Sequence, residues 1–319
     1  MIWKTGRLDY FAQDMYEGME RSMPHVWSTG YTQKNAGVLV KRTPTPDRFS
    51  IIISGGAGNG PLFPGYVGEG LADAASVGGP FSAPNAYAIY EAAKQLGSKK
   101  GVLLLYNNFA GDYLNNDMAQ ELLEQEGIQV ETVISNDDIA TALGEPRAER
   151  NGRCGIALLI KLAAAYTKAG MELEDAADLL RYATTRLGTL SLHVDFEAEE
   201  IYYGGGFSGE PPIHIETHMN MERAVDTAMH MLLEELKPSP DETLFLLVNR
   251  LRLSSYADSY IIANLAVKAL EKRHRVAQLR VAPFSNITDK YGFDFSILCM
   301  NGETARLMDS YIASDCFVI

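Results

Sequence analysis

Residues 101–140 read GVLLLYNNFAGDYLNNDMAQELLEQEGIQVETVISNDDIA. Gly101–Tyr106 is a short apolar run with strand character. The polar loop NNFAGDYLNND (107–117) follows, Asn115–Gln125 has helical spacing, and a second buried run, Ile128–Ile134, ends in the turn Asn136-Asp137-Asp138. Strand, loop, helix, strand is the repeating unit of a parallel sheet with crossover helices.

The same alternation extends in both directions. Upstream, Phe49–Ile53 reads as a strand, the stretch SGGAGNGPLFPGYVG (54–68) as a glycine-rich loop, and Asn85–Leu96 as a helix. Downstream, Gly155–Ala169 and Glu174–Thr185 read as helices. The second half continues with strand Leu190–Val194, the turn Gly204-Gly205-Gly206, and a long helix over Met221–Leu236. That helix stops at Lys237-Pro238-Ser239-Pro240, because proline cannot continue it. Strand Thr243–Val248, helix Ser255–Lys272, strands Arg275–Pro283 and Phe293–Met300, and helix Thr304–Ile312 complete the pattern. The expected fold class is α/β: two α/β domains with mostly parallel sheets flanked by helices. Residues 1–188 form the first and carry the glycine loop; residues 189–319 form the second and complete the pocket.

Composition narrows the function. The chain has 319 residues, 46% of them apolar, and a net charge of −13. That charge argues against nucleic acid and anionic lipid, which require basic patches; no block of five or more Lys and Arg occurs, and neither is expected as a direct partner. Cys154, Cys299 and Cys316 are far apart and odd in number, which fits reduced thiols in a cytoplasmic protein and not a disulfide framework or a metal knuckle. The start MIWKTGRLDYFAQD has no signal-peptide apolar core, and no run of eighteen apolar residues occurs to span a membrane.

Two loops carry candidate chemistry. A strand, a tight glycine turn and a helix present backbone N–H groups to oxygen-rich ligands. Gly56-x-Gly58-x-Gly60 does not match the dinucleotide fingerprint, and no lysine follows to make a phosphate loop. A plain surface turn remains the alternative. The loop 107–117 follows the next clear strand, so both loops are expected at the carboxyl edge of one sheet, where open α/β sheets bind ligands. Asp112 there is either a hydrogen-bond acceptor and general base or a helix N-cap.

These motifs together resemble the substrate-binding subunit of dihydroxyacetone kinase. The resemblance rests on SGGAGNGPLFPGYVGEGLADAA (54–75), GPFSAPN (79–85), the block 101–140, GRCGIALLIKLAAA (152–165) and GEPP (209–212), and covers nearly the whole chain. It implies a homodimer of two-domain subunits that binds a small ketose and no nucleotide. ATP or ADP, with magnesium, belongs to a separate partner subunit. In that family a histidine in Gly-Ile-His-Gly-Glu-Pro adds to the ketone, and a histidine in Ser-Gly-His-Glu-Pro and an aspartate in Thr-Gly-Asp assist phosphoryl transfer.

Carried over residue by residue, the aspartate falls on Asp112 and is retained. The histidine of Ser-Gly-His-Glu-Pro falls on Asn59, its glutamate on Gly60, and the loop before it is one residue shorter. The ketone-binding histidine falls on Ser208, within Gly206-Phe207-Ser208-Gly209-Glu210-Pro211. The segment between Ser191 and Gly204 is also shortened. The resemblance therefore implies a substrate site over Gly55, Gly56, Gly58, Asn59, Asp112, Ser208 and Gly209, with Asp112 as the catalytic group.

A serine hydroxyl without an adjacent base is a poor nucleophile, and asparagine can only exchange hydrogen bonds. His193, alternating with Leu192 and Val194 on a strand, is the candidate to compensate. His214 and His218 are four apart, which on a helix shares one face, but no third ligand follows, so no metal site is expected. One reading is a binding or regulatory paralogue that signals to a partner, such as a transcription regulator. Another is a working ketose kinase subunit with non-covalent capture, and a third is an isomerase-type reaction with Asp112 as base.

Overall fold

The computed structural model describes residues 11–33, 36–43, 45–207, 209–286 and 290–309. Ser208, Cys316 and the end of the helix expected over Thr304–Ile312 lie outside them. The chain forms two compact units. The first runs to Ile134 and includes Ile160–Arg181; the second comprises Ser135–Leu159 and the described residues from Tyr182 onward. The single cut near residue 188 read from the sequence thus becomes an excursion: the turn Asn136-Asp137-Asp138 and the segment after it join the second unit before the chain returns.

The first unit carries α1 (Phe11–Ser22), β1 (Val26–Gln33), β2 (Ala36–Lys41), β3 (Ser50–Gly56), β4 (Ala74–Gly78), α2 (Ala86–Leu96), β5 (Val102–Asn107), α3 (Ala110–Gln125) and β6 (Val130–Ser135), followed by the greater part of α4 (Ile156–Lys168) and of α5 (Leu173–Thr185). Its sheet has the order β1-β2-β4-β3-β5-β6. β4, β3 and β5 are parallel, with Ile52 opposite Ala74 and Leu104. β1–β2 and β2–β4 are antiparallel. β5 is buried along its whole length and β3 along all but its last residue, which is why they read as continuous apolar runs. Ile52, Ala74 and Leu104 pack beneath Ile89, Ala92, Ala119 and Leu123 of α2 and α3. Asn85 caps α2 by accepting from Ala88 N–H at 3.0 Å, and Gly97 ends it at φ 59°, a left-handed conformation that glycine adopts freely.

The second unit carries β7 (Leu187–Asp195), β8 (Glu200–Gly204), β9 (Pro212–Glu216), α6 (Met221–Leu236), β10 (Thr243–Arg250), α7 (Tyr256–Leu270), β11 (Val276–Ala282), β12 (Gly292–Met300) and α8 (Gly302–Met308). Its sheet has the order β11-β10-β12-β7-β8-β9. Here the expectation of a mostly parallel sheet is corrected. Only β10–β11, joined through α7, is parallel; β10–β12, β12–β7, β7–β8 and β8–β9 are antiparallel. Short loops can join only antiparallel neighbours, whereas a parallel pair needs a long crossover. One face of this sheet packs Leu190, Leu192, Phe293 and Phe295 against Val225, Met229 and Leu232 of α6 and Ile262 of α7.

Candidate functional site

In the first unit the parallel strands bring three carboxyl ends to one edge. Gly55 and Gly56 end β3, Gly78 ends β4, and Tyr106 and Asn107 end β5. The glycine loop folds tightly against the loop after β4. A Cβ on Gly55 would overlap the Phe63 ring, and one on Gly58 would overlap the carbonyl of Pro80. Ala57 N–H donates to Gly79 O at 3.0 Å, and Ser82 Oγ accepts from Gly79 N–H at 3.0 Å. Gly55 and Gly58 are thus required by close packing. Gly56 has room for a side chain, its Cβ position lying 3.5 Å from the nearest atom. Asn59, in the place of the family histidine, is half-buried on the same loop.

Asp112 belongs to the first turn of α3, which begins at Ala110 behind an N-cap at Phe109. The N-cap alternative for Asp112 is therefore excluded. The residue is 7% exposed, and its Oδ1 is buried with no hydrogen-bond partner. Burial pushes its pKa up to about 7, because the charged form loses solvation without gaining a cation. Asn116 holds the backbone of this turn, donating from Nδ2 to Asp112 O at 2.8 Å and to Ser54 Oγ at 2.9 Å. Two further buried groups on these strands lack partners: Ser76 Oγ, in the middle of β4, and Asn107 Oδ1, at the end of β5. Ser76 stands opposite Ser54 in the β3–β4 register. Neither residue is among the site residues read from the sequence. The signal was a serine inside the apolar run of β4 and the first asparagine of NNFAGD. The only histidine of this unit, His25, is engaged elsewhere, with Nε2 3.1 Å from Val67 O.

In the second unit a polar cluster lines the face of the sheet opposite α6. Arg153 and Asp294 are both fully buried. Arg153 donates from Nε and Nη2 to Asp294 Oδ1 at 3.1 and 2.9 Å. Ser191 Oγ donates to the same oxygen at 2.6 Å, and Asn249 Nδ2 donates to Oδ2 at 2.6 Å. Despite its burial, Asp294 is held below the usual carboxylate range by the Arg153 charge and these hydrogen bonds. His193 stands two residues beyond Ser191 on β7. It is buried, Nε2 has no partner, and burial together with Arg153 lowers its pKa to about 3. The ring is neutral and sits under Gly205.

The loop above it turns through Gly204, Gly205 and Gly206 at φ 90°, 96° and 22°, and Gly209 follows at φ 91°. Phe207 stacks over Arg153, with the guanidinium carbon 5.0 Å from the ring centre. Asn151 Nδ2 ties the loop down by donating to Glu210 Oε1 at 2.6 Å. His214 and His218 do not share a helical face: His214 is on β9 against the Tyr203 ring, and His218 is exposed beyond the strand. Among the described residues no group of three histidine, cysteine or acidic side chains is placed to hold a metal ion, and no helix is long and apolar enough to cross a membrane.

Comparison with known proteins places these features. The Dak1 domain model matches residues 17–315. The dihydroxyacetone-binding subunit DhaK of PTS-dependent dihydroxyacetone kinase 2 from Listeria innocua is 31% identical, over 93% of this chain and 95% of its own. D-erythrulose kinase of Mycolicibacterium smegmatis is 27% identical over 85% of this chain, which spans only 49% of that longer protein. Among solved structures, one concerning regulation of the dha operon of Lactococcus lactis superposes with a TM-score of 0.88 at 25% identity, covering 96% of this chain and 95% of the other. The dihydroxyacetone kinase operon co-activator DhaQ superposes with a TM-score of 0.86 at 25% identity, covering 96% and 98%. With its model matched along almost the whole length, the chain belongs to the Dak1 domain family.

Proposed function

We propose that the protein is a recognition subunit that binds a small ketose of the dihydroxyacetone type through hydrogen bonds alone and passes its ligation state to a partner protein. One observation carries this reading: Asp112 Oδ1, Asn107 Oδ1 and Ser76 Oγ are buried without partners on the strands and helix that meet the carboxyl edge of the parallel sheet. Unmade buried hydrogen bonds are costly, so such groups are kept where a ligand completes them. Three oxygens that accept, one of which also donates, suit a molecule rich in hydroxyls. The reading includes a cytoplasmic homodimer, with any nucleotide and magnesium on a separate chain. A relative named as an operon co-activator supports the regulatory role.

A second reading, a working ketose kinase subunit, draws on Asp112 itself. A carboxyl group with a pKa near 7 suits a general base, and much of phosphoryl transfer is positioning and electrostatics. The two readings separate when the protein is mixed with dihydroxyacetone, a phosphoryl-donor subunit of the family, ATP and magnesium. The recognition reading predicts ligand binding without formation of a ketose phosphate. Steady product formation that Asp112→Ala abolishes would establish the kinase instead.

A further inference from the structure

We infer that Arg153 and His193 form a recognition site within the second unit for the carbonyl oxygen and a neighbouring hydroxyl of a small hydroxyketone, covered by Phe207. The inference rests on the ketose-binding reading and names groups that reading does not use.

Arg153 has three nitrogens to satisfy. Nε and Nη2 are spent on Asp294, whereas Nη1 has no hydrogen-bond partner and lies 3.7 Å from Asp138 Oδ2. A fully buried guanidinium with one unsatisfied nitrogen is an expensive arrangement, and native proteins retain few of them. His193 Nε2 is a second such atom. The two groups share one environment. Ser191 and His193 are two residues apart on β7 and so face the same side, and Ser191 donates to the oxygen of Asp294 that Arg153 also holds. The charge of Arg153 is among the causes that keep His193 neutral.

The chemistry of the pair selects the ligand. Arg153 Nη1 can only donate, whereas a neutral imidazole nitrogen donates in one tautomer and accepts in the other. A carbonyl oxygen suits the first, and a hydroxyl suits the second in either direction. An anion is disfavoured, because Asp294 already balances Arg153, and Asp137 and Asp138 stand close by.

Access runs through the loop above. Phe207 carries the only side chain between residues 204 and 207, its ring lies over the guanidinium, and Gly205 crosses the His193 ring. Left-handed glycines precede it, and Gly209 beyond it has open space around it.

The test uses the whole protein labelled with nitrogen-15 in its histidine rings. Dihydroxyacetone should shift the His193 ring resonances saturably, with the midpoint found by calorimetry, and glycerol, which lacks the carbonyl, should shift them little. His193→Ala should weaken dihydroxyacetone binding roughly two- to tenfold, the worth of one neutral hydrogen bond, and Phe207→Ala should raise the ligand exchange rate. A His193 ring unmoved at saturating dihydroxyacetone would overturn the inference while leaving the ketose-binding reading standing, and this holds even if a variant fails to fold. No calorimetric binding by the unaltered protein would instead overturn the ketose-binding reading, and this inference with it.

Discussion

Asn116 Nδ2 donates to both the carbonyl of Asp112 and the hydroxyl of Ser54, so one buried amide fastens the first turn of α3 to the end of β3. That tie sets the position of the Asp112 carboxylate relative to the glycine loop. Asn116→Ala should cost about 1–3 kcal/mol of stability, because Ser54 and the Asp112 carbonyl lose a buried partner. Urea unfolding measures the first effect. Ligand titration of the folded variant should show weaker binding, since Asp112 is no longer held in place.

Asp112 should make stability depend on pH in a direction opposite to most carboxylates. Its folded pKa is raised to about 7, so the native state keeps a proton that the unfolded chain releases near the ordinary carboxylate value. Its stabilising contribution is full below about pH 4, falls as pH rises towards 7, and is flat above, by up to about 1.4 kcal/mol per pH unit. His193 has the opposite sign: its lowered pKa gives stability that is present above about 6.5 and lost as pH falls towards 3. The difference between wild-type and Asp112→Asn unfolding curves across pH 4–8 isolates the first slope. A difference that does not change with pH would contradict the burial account.

Ser76 offers a separation of stability from binding. Its hydroxyl is buried without a partner, so Ser76→Ala removes an unmet cost and should leave stability unchanged or raised by up to about 1 kcal/mol. Ligand affinity should nevertheless fall. Thermal unfolding beside ligand titration reads both, and a variant that loses stability and keeps its affinity would show that Ser76 serves only the fold.

The pair Arg153–Asp294 is fully buried, with two guanidinium nitrogens donating to one carboxylate oxygen. Removing one partner leaves the other charge without compensation, so Asp294→Asn or Arg153→Met should each cost about 3–5 kcal/mol. The double variant should cost less than the sum, because neither charge is then stranded. Guanidinium unfolding of the three variants completes this cycle.

Much of this architecture is legible in the sequence wherever one residue type has one physical role. Met221–Leu236 is bounded by the Asn220 cap and by Pro238, and its apolar spacing matches its buried face. The apolar runs of β3, β5 and β10 declare themselves because both faces of each are covered. β1 and β4 do not, since VWSTGYTQ and AASVG are rich in small and polar residues and take their conformation from their neighbours. Strand direction in the second sheet was hidden as well, because it depends on which strands the loops join.

At the candidate site, the position of Asp112 followed from the loop it occupies. The unpartnered atoms of Ser76, Asn107 and Arg153 did not, because hydrogen-bond satisfaction depends on partners far away in the chain. Arg153 meets Asp294 across 141 positions.

The most direct measurement is a calorimetric titration of dihydroxyacetone into the purified protein, with intact mass recorded at saturation. Saturable heat with no gain in mass is the predicted result: a ketose held by hydrogen bonds alone. A mass increase of one ketose per chain would contradict non-covalent recognition, and the absence of heat would contradict ketose binding itself.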